Sequence, residues 1–199
     1  VLRRFWSGGL ALFNVITLLF ITPIVAFYLL RDWDNMIEKV DGLLPRDNAG
    51  VIRDQLKLVD AAIAGFVRGQ ATVAMTLGII YGIGWSFAGL EFGLILGLGT
   101  GVLAFIPYVG AALGFFIALL VAFAQFGADF VPLAMIIGTF IAGQSLDASF
   151  LTPKLVGGRV GLHPVWVIFA LMAGGTLFGF LGVLIAVPTG AAIGVVVRF

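Results

Sequence analysis

The apolar stretch FGLILGLGTGVLAFIPYVGAALGFFIALLVAFAQFG, residues 92–127, decides the fold because it is too long for one membrane crossing. It is interrupted near its middle by Ile106-Pro107-Tyr108-Val109-Gly110. Halving its 36 residues leaves arms of about 15 residues, or roughly 22 Å of helix, against a hydrocarbon layer of ~30 Å. The stretch therefore predicts a helical hairpin, either re-entrant or crossing the membrane twice.

A second stretch of the same kind lies at residues 164–197. It has 34 residues and carries Gly174-Gly175-Thr176-Leu177-Phe178-Gly179-Phe180-Leu181-Gly182 near its middle. By the same length argument it predicts a second broken hairpin.

Composition indicates that the bilayer is the solvent. Hydrophobic residues make up 61% of the 199 residues and charged residues only 11%, against roughly 25% charged in soluble proteins. The absence of cysteine excludes disulfides, thiolate metal sites and a cysteine nucleophile. A net charge of +1 gives no basis for binding nucleic acid, and no motif calls for a cofactor. The first residue is Val1, so we expect a fragment of a longer chain.

Charged residues divide the chain into four parts. The uncharged run from Phe5 to Leu30 predicts a membrane helix, and six Lys/Arg with seven Asp/Glu between Arg31 and Arg68 predict a soluble segment. Apolar residues recur there at helical spacing, as Ile52, Leu56, Val59, Ile63 and Phe66. The expected parts are a membrane helix at 1–30, an amphipathic cytoplasmic helical hairpin at 31–70, membrane repeat 1 at 71–127 and membrane repeat 2 at 128–199. The hairpin at 31–70 either packs on the membrane part or senses lipid or a partner.

The two membrane repeats are expected to run in opposite directions. Each has one helix, at 71–90 or 130–151, followed by a broken hairpin. Lys154, Arg159 and Arg198 then fall on the cytoplasmic side with residues 31–68, as the positive-inside tendency requires. The fold class is thus an all-α, polytopic helical membrane protein with two Gly/Pro-broken hairpins in an inverted repeat. In such carriers, interrupted helices expose main-chain groups to the cargo at the membrane centre.

Glycine spacing within these segments adds close helix contacts to this picture. The ladder Gly93, Gly97, Gly101 and the pairs Gly78/Gly82 and Gly190/Gly194 provide small-xxx-small faces. They serve either static packing or a sliding interface.

The polar stretch GQSLDASFLTPKLVGGRVGLHP, residues 143–164, joins the helix at 130–151 to the second hairpin. A carboxylate near the end of an apolar helix tends to face a cavity or a cation, which makes Asp147 the sharpest candidate, with Gln144 on the same face. The alternative is an interfacial ion pair of Asp147 with Lys154 or Arg159. Pro153 is expected to end the helix. His163 is either a capping residue or a proton relay.

Taken in order, several motifs resemble the AI-2E family of bacterial membrane transporters, the autoinducer-2 exporters. They are Leu29-Leu30-Arg31-Asp32-Trp33, Gly69-Gln70, Phe105 to Gly110, Leu151-Thr152-Pro153-Lys154-Leu155-Val156-Gly157, Val160 to Pro164 and the run from Ala173 to Pro188. The resemblance covers nearly the whole chain. It implies an additional N-terminal portion, a multi-pass protein of the bacterial inner membrane, and a homo-oligomer, with a pentamer as the suggested count. It also implies export of the quorum-sensing molecule autoinducer-2 in some members and exchange of Na⁺ or Li⁺ for H⁺ in others.

Position by position, the resemblance assigns substrate- or ion-binding roles within both breaks and the polar stretch. The expected site residues are Pro107, Tyr108, Gly110, Gln144, Asp147, Thr152, Pro153, Lys154, His163, Gly174, Gly175, Thr176 and Gly179. Tyr108, Gln144 and Thr176 suit a neutral, hydroxyl-rich solute. Asp147 suits a cation/proton exchanger, which needs a group that loses its proton when the cation binds.

Three functions remain open at this point. The chain is a secondary transporter for a small polar solute, a monovalent-cation/proton antiporter, or a passive channel. An enzyme is disfavoured because a single His cannot form HExxH, there is no Cys, and the nucleophile and acid motifs GxSG and GxGD are missing.

Overall fold

The computed structural model describes residues 20–107, 109–157 and 163–197. Every regular element in these ranges is a helix, which confirms the all-α prediction. The helices are α1 Phe20–Arg31, α2 Trp33–Gly42, α3 Ala49–Phe87, α4 Gly93–Leu103, α5 Val109–Phe126, α6 Phe130–Leu146 and α7 Pro164–Val197. Two five-residue π-helical segments, Asp147–Leu151 and Pro153–Gly157, follow α6.

Four of the described helices are long and apolar enough to cross a bilayer, so the chain is a multi-pass membrane protein. They are α3, α5, α6 with its π-helical continuation to Val156, and α7 from Val165. Helix α1 is apolar but shorter, and the first part of the predicted span at 5–30 lies outside the described residues.

Helix α3 joins two segments that the sequence predicts as separate. It runs for 39 residues without a break, through the predicted boundary at residue 70. At about 1.5 Å per residue it is roughly 58 Å long. Residues 67–70, Val-Arg-Gly-Gln, lower the local hydropathy but contain no proline, so the backbone hydrogen-bond ladder continues through them.

The chain forms two compact units, residues 1–53 and 54–199. In the first unit, α2 has no buried residue, and Arg53 donates two hydrogen bonds to the Asp41 carboxylate at 2.6 and 2.7 Å. These hydrogen bonds lower the pKa of Asp41 below its usual value, because they stabilise the charged form. An exposed ion pair therefore joins α2 to the start of α3.

One face of α3 forms the core of the second unit. Phe66, Val73, Leu77, Tyr81 and Trp85 are all buried and recur every four or seven residues. Helix α4 lies so close to this face that a Cβ on Gly97 would collide with the backbone of Gly82. The predicted glycine ladder therefore lies at a backbone-to-backbone contact.

The first hairpin breaks between α4 and α5. Pro107 has no N–H to donate, and the carbonyl of Leu103 instead accepts from the N–H of Ile106 at 3.0 Å. The break is tight at Gly110, where a Cβ would collide with the Leu103 carbonyl.

The second hairpin breaks at a single residue of α7. Gly179 has φ 61° and ψ −141°, a conformation that is nearly restricted to glycine, and the chain is helical on both sides. The arms 164–178 and 180–197 meet near this tip, where a Cβ on Gly182 would collide with the Gly174 carbonyl. The first break overlaps the predicted interruption at 106–110, and the second lies within that at 174–182. Re-entry into the membrane and the inverted repeat stay predictions.

Helix α6 does not end where the sequence predicts. The expected stop at Pro153 is wrong, because the chain continues in π-helical form to Gly157. The wider i→i+5 turn of a π-helix changes the hydrogen-bonding register, so it can include a proline that supplies no N–H.

Candidate functional site

Four polar side chains gather where α3 runs beside α6 and the first π-helical segment. Gln144 donates from Nε2 to the hydroxyl of Tyr81 at 3.0 Å, and Thr152 donates from Oγ1 to Asp147 Oδ1 at 2.7 Å. Gln144 and Asp147 are three residues apart on one continuous helix, so the two pairs lie one helical turn apart. We call Tyr81, Gln144, Asp147 and Thr152 the polar cluster.

The polar cluster is graded from buried to open. Tyr81 is fully buried, Gln144 and Asp147 are half-buried, and Thr152 is exposed. A hydroxyl, a carboxamide and a carboxylate are thus presented from the protein interior to its surface within apolar helices. Polar groups at this depth are costly unless they face a partner or a cavity, which makes the cluster the best-supported functional candidate.

Aromatic rings hold the buried end of the polar cluster in place. Tyr81 stacks on Trp85 with ring centroids 5.3 Å apart, and Phe140 lies 5.7 Å from Tyr81 on the other side. Trp85 is fixed in turn by a 3.2 Å hydrogen bond from its Nε1 to the Ile136 carbonyl. A Cβ on Gly143 would lie 2.5 Å from the Tyr81 ring, so this glycine allows the ring to sit against α6.

The alternative role of Asp147, an ion pair, finds no support among the described residues. Lys154 is exposed, and its Nζ lies 5.5 Å from the centroid of the Phe150 ring instead. Arg159, the other expected partner, lies outside the described residues. Within the described part of the chain, the hydrogen bond that Asp147 receives comes from Thr152.

Residues of the second hairpin do not join the polar cluster in the described structure. The exposed Thr176 donates to the Ala173 carbonyl of its own helix at 3.0 Å. The His163 carbonyl accepts from the N–H of Trp166 at 2.9 Å. The His163 side chain accepts at Nδ1 from the N–H of Val165, with the two nitrogens 3.4 Å apart. These contacts fit the capping alternative for His163, because they satisfy free N–H groups at the start of α7.

A groove of about 630 Å³ lies between the two arms of α7. Its lining is aliphatic, aromatic or glycine except for His163 and Thr189. It therefore does not offer the hydrogen-bonding groups that a polar solute requires.

The first break contains a buried contact that the sequence reasoning did not assign to the site. Gln70, only 5% exposed, donates from Nε2 to the Ala104 carbonyl at 2.8 Å. Next to it, a Cβ on Gly69 would collide with the Leu155 carbonyl of the second π-helical segment. Gln70 and Tyr81 are the two residues that the site prediction missed. A glutamine and a tyrosine within an apolar helix were the available signals.

Of the other predicted site residues, Pro107 is half-buried in the first break and Tyr108 lies outside the described residues. Lys154 and Pro153 are exposed at the end of the α6 continuation. The described residues contain no group of three or more His, Cys, Asp or Glu that could hold a metal ion.

Comparison with known proteins gives a consistent family. The family model described as AI-2E family transporter matches residues 6–199. The Bacillus subtilis protein named "Putative transport protein YrrI" is 36% identical over 175 residues, which are 86% of this chain and 48% of that protein. The Escherichia coli K12 protein named "Putative permease PerM" is 31% identical over 187 residues, or 94% of this chain and 52% of that protein.

The chain spans about half the length of the curated relatives it matches. No solved structure matches it.

Proposed function

Because the chain belongs to the AI-2E transporter family, we propose that it carries a small polar solute across the bacterial inner membrane by alternating access, with autoinducer-2 as the candidate solute. The observation that carries the proposal is the polar cluster, which supplies hydroxyl, carboxamide and carboxylate groups inside apolar helices. A neutral, hydroxyl-rich molecule requires both donors and acceptors, and Gln144 supplies both. The half-buried Phe140 ring beside Tyr81 provides an apolar surface against which a carbon skeleton can pack.

Opening of the polar cluster to the two sides in turn would be controlled by the first break and by the second π-helical segment. The first break lies against Gln70 on α3, and the second π-helical segment lies against Gly69 on the same turn. A shift of α3 relative to either element would change access to the cluster. The homo-oligomer suggested by the sequence is compatible with this proposal but not required by it.

Uptake by sealed vesicles containing the purified chain tests the proposal. We expect autoinducer-2 to accumulate above its external concentration when an ion gradient is applied, whereas a passive channel would only equalise the two concentrations. Gln144→Leu should raise the KM for uptake by about two- to tenfold, because it removes one neutral hydrogen bond to the solute. Thr139→Val is the matched control, since the Thr139 hydroxyl bonds its own helix at Met135. Equal KM values in the two variants would contradict a binding role for Gln144.

A second function, exchange of a monovalent cation for a proton, is favoured by one observation. Asp147 and Thr152 bring a carboxylate and a hydroxyl oxygen together, and oxygen atoms are the ligands that hard cations prefer. Asp147→Asn should abolish exchange, because the amide can neither release a proton nor balance the cation charge. Solute export without ion coupling should survive this variant. Sodium/proton exchange that is unchanged in Asp147→Asn vesicles would remove this second function.

A further inference from the structure

Apart from aromatic residues, Gln70 and Thr100 are the two buried polar residues in the described structure. Thr100 donates to a carbonyl of its own helix, at Leu96. Gln70 instead reaches from α3 to the Ala104 carbonyl, 34 residues away in sequence, with a 2.8 Å hydrogen bond. It therefore connects α3 to the break between α4 and α5. Removing the donor would leave a buried carbonyl short of a hydrogen bond, which is costly in an apolar interior.

The same turn of α3 also contacts the second π-helical segment, Pro153–Gly157. Gly69 fits against the Leu155 carbonyl so closely that any side chain would collide with it, and the neighbouring Val156 is buried. One turn earlier, the Phe66 ring packs edge-on against Phe105 of the first break at 6.3 Å. Since α3 is an unbroken helix, residues 66–70 move as one body.

We propose that Gln70 is a positioning residue that holds the first break closed, and that its release also loosens segment Pro153–Gly157 through the α3 turn at 66–70. The inference rests on the proposed transport function and adds a gate to it. A solute hydroxyl that donates to the Ala104 carbonyl replaces the Gln70 carboxamide without leaving the carbonyl unpaired. This exchange links arrival of a polar solute to opening of the break, and it selects solutes that carry a hydroxyl donor.

Thiol labelling tests this role of the Gln70–Ala104 hydrogen bond, which we call the latch. The chain contains no cysteine of its own, so an introduced cysteine is the single thiol that can react. Ala104→Cys and Val156→Cys each place one thiol at a buried position, 6% and 8% exposed. A membrane-impermeant maleimide is applied to the chain in lipid nanodiscs. We expect Gln70→Leu to speed labelling at both positions by about three- to tenfold, the range that one lost hydrogen bond allows. An increase at position 104 alone would overturn the link to the second π-helical segment.

Gln125→Leu is the matched control. Gln125 donates from Nε2 to the Gly89 carbonyl, also at 2.8 Å, at the opposite end of the same hairpin. In Gln125→Leu, the labelling rate at position 104 should stay within twofold of the rate in the protein that keeps both Gln70 and Gln125. Equal acceleration by Gln125→Leu and Gln70→Leu would mean general loosening of the hairpin and would overturn the latch.

Gln70→Glu supplies a second readout that general damage to the fold would not change. The carboxyl group that this variant introduces can donate to the Ala104 carbonyl when it is protonated, whereas the carboxylate cannot. The labelling rate at position 104 is divided by the rate in the protein with Gln70 at the same pH, which removes the pH dependence of the thiol reaction itself. This ratio should be low at low pH and rise as the pH increases. A ratio that does not change with pH would contradict the proposal. This test remains available if Gln70→Leu does not fold.

Labelling and uptake fail in different ways. Labelling needs no solute. Labelling rates as expected, together with no uptake by vesicles, would support the role of Gln70 and contradict the proposed transport function. Uptake with labelling unaffected by Gln70→Leu would remove the latch alone.

Discussion

The two broken hairpins have nearly the same length and hydropathy, but they bend for different reasons. In the first, Pro107 removes an N–H, and the flanking backbone is packed against Leu103 and held by Gln70. In the second, only Gly179 leaves the helical conformation, and the chain around it is exposed. A missing N–H cannot be restored, whereas a glycine can return to helical angles. The first break is therefore enforced by covalent structure and packing, and the second is only permitted.

The ends of the arms opposite each break differ as well. In the first hairpin, Gln125 near the end of α5 donates to the Gly89 carbonyl and accepts from the N–H of Glu91 at 2.7 Å. The corresponding arms of α7 enclose an apolar groove from His163 to Val197. The first hairpin is thus held at both ends, whereas the arms of the second lie on either side of a groove.

The largest effect on stability is expected from Gly110→Ala. The new Cβ would collide with the Leu103 carbonyl and lie 2.7 Å from the Ala104 nitrogen, and backbone cannot move aside as a side chain can. We expect a loss of about 1–3 kcal/mol or more, measured by thermal unfolding in detergent. Gly99→Ala on α4 is the matched control, because no atom lies within 4 Å of its added Cβ. That variant should be unchanged or stabilised by up to about 1 kcal/mol. Equal melting temperatures for the two variants would show that the first break is not tightly packed.

Gly179→Ala should have a somewhat smaller effect. No atom lies within 4 Å of the added Cβ, so the cost comes from the backbone conformation alone, at about 1–3 kcal/mol if the break is kept. Because alanine favours helix, the variant should also shift α7 towards a straight helix. Spin labels at Ala173→Cys and Ala186→Cys would report this as an increased distance between the arms. An unchanged distance with unchanged stability would contradict a glycine-dependent break.

Gln125→Leu tests the closed end of the first hairpin. Two hydrogen bonds are lost, but the site is exposed and water can replace them, so the expected loss is about 1 kcal/mol. Thermal unfolding measures it, with Gln55→Leu outside the membrane hairpins as a same-residue comparison. A loss as large as that of Gly110→Ala would mean that this end, rather than the break, controls the hairpin.

The smallest effect is expected for the pair of helices α2 and α3. An exposed ion pair between Asp41 and Arg53 joins α2 to the start of α3. The pKa of Asp41 is lowered by its hydrogen bonds from Arg53, so this pair stabilises the folded form above the unfolded-state pKa and loses its effect as the pH falls through the folded-state value. Asp41→Asn should slightly speed proteolysis of residues 43–48 at neutral pH and make no difference in strong acid. Equal rates at neutral pH would show that the exposed pair contributes nothing.

Much of the site lay within reach of sequence reasoning, but its arrangement did not. Gln144 and Asp147 were recognisable because polar side chains are conspicuous in apolar helices, and Thr152 was predicted through the family resemblance. All three belong to the polar cluster. The partner of Gln144 was not recognisable. Tyr81 lies 63 residues from Gln144 in sequence, and the chain offers other aromatic residues at similar helical positions.

The sequence by itself determined the bilayer as solvent, the helical class and the places where the apolar blocks break. These follow from local quantities: hydropathy summed over a window, the missing N–H of proline and the free φ of glycine. Only the tertiary structure decided that α3 runs unbroken past residue 70, that α6 continues through Pro153, and that Gln70 holds Ala104. The Gln70 contact joins positions 34 residues apart, which no local signal reports. At 67–70 and at Pro153 the local signals only weaken a regular helix, because the hydrogen-bond ladder persists through the first and shifts to the π-helical register at the second.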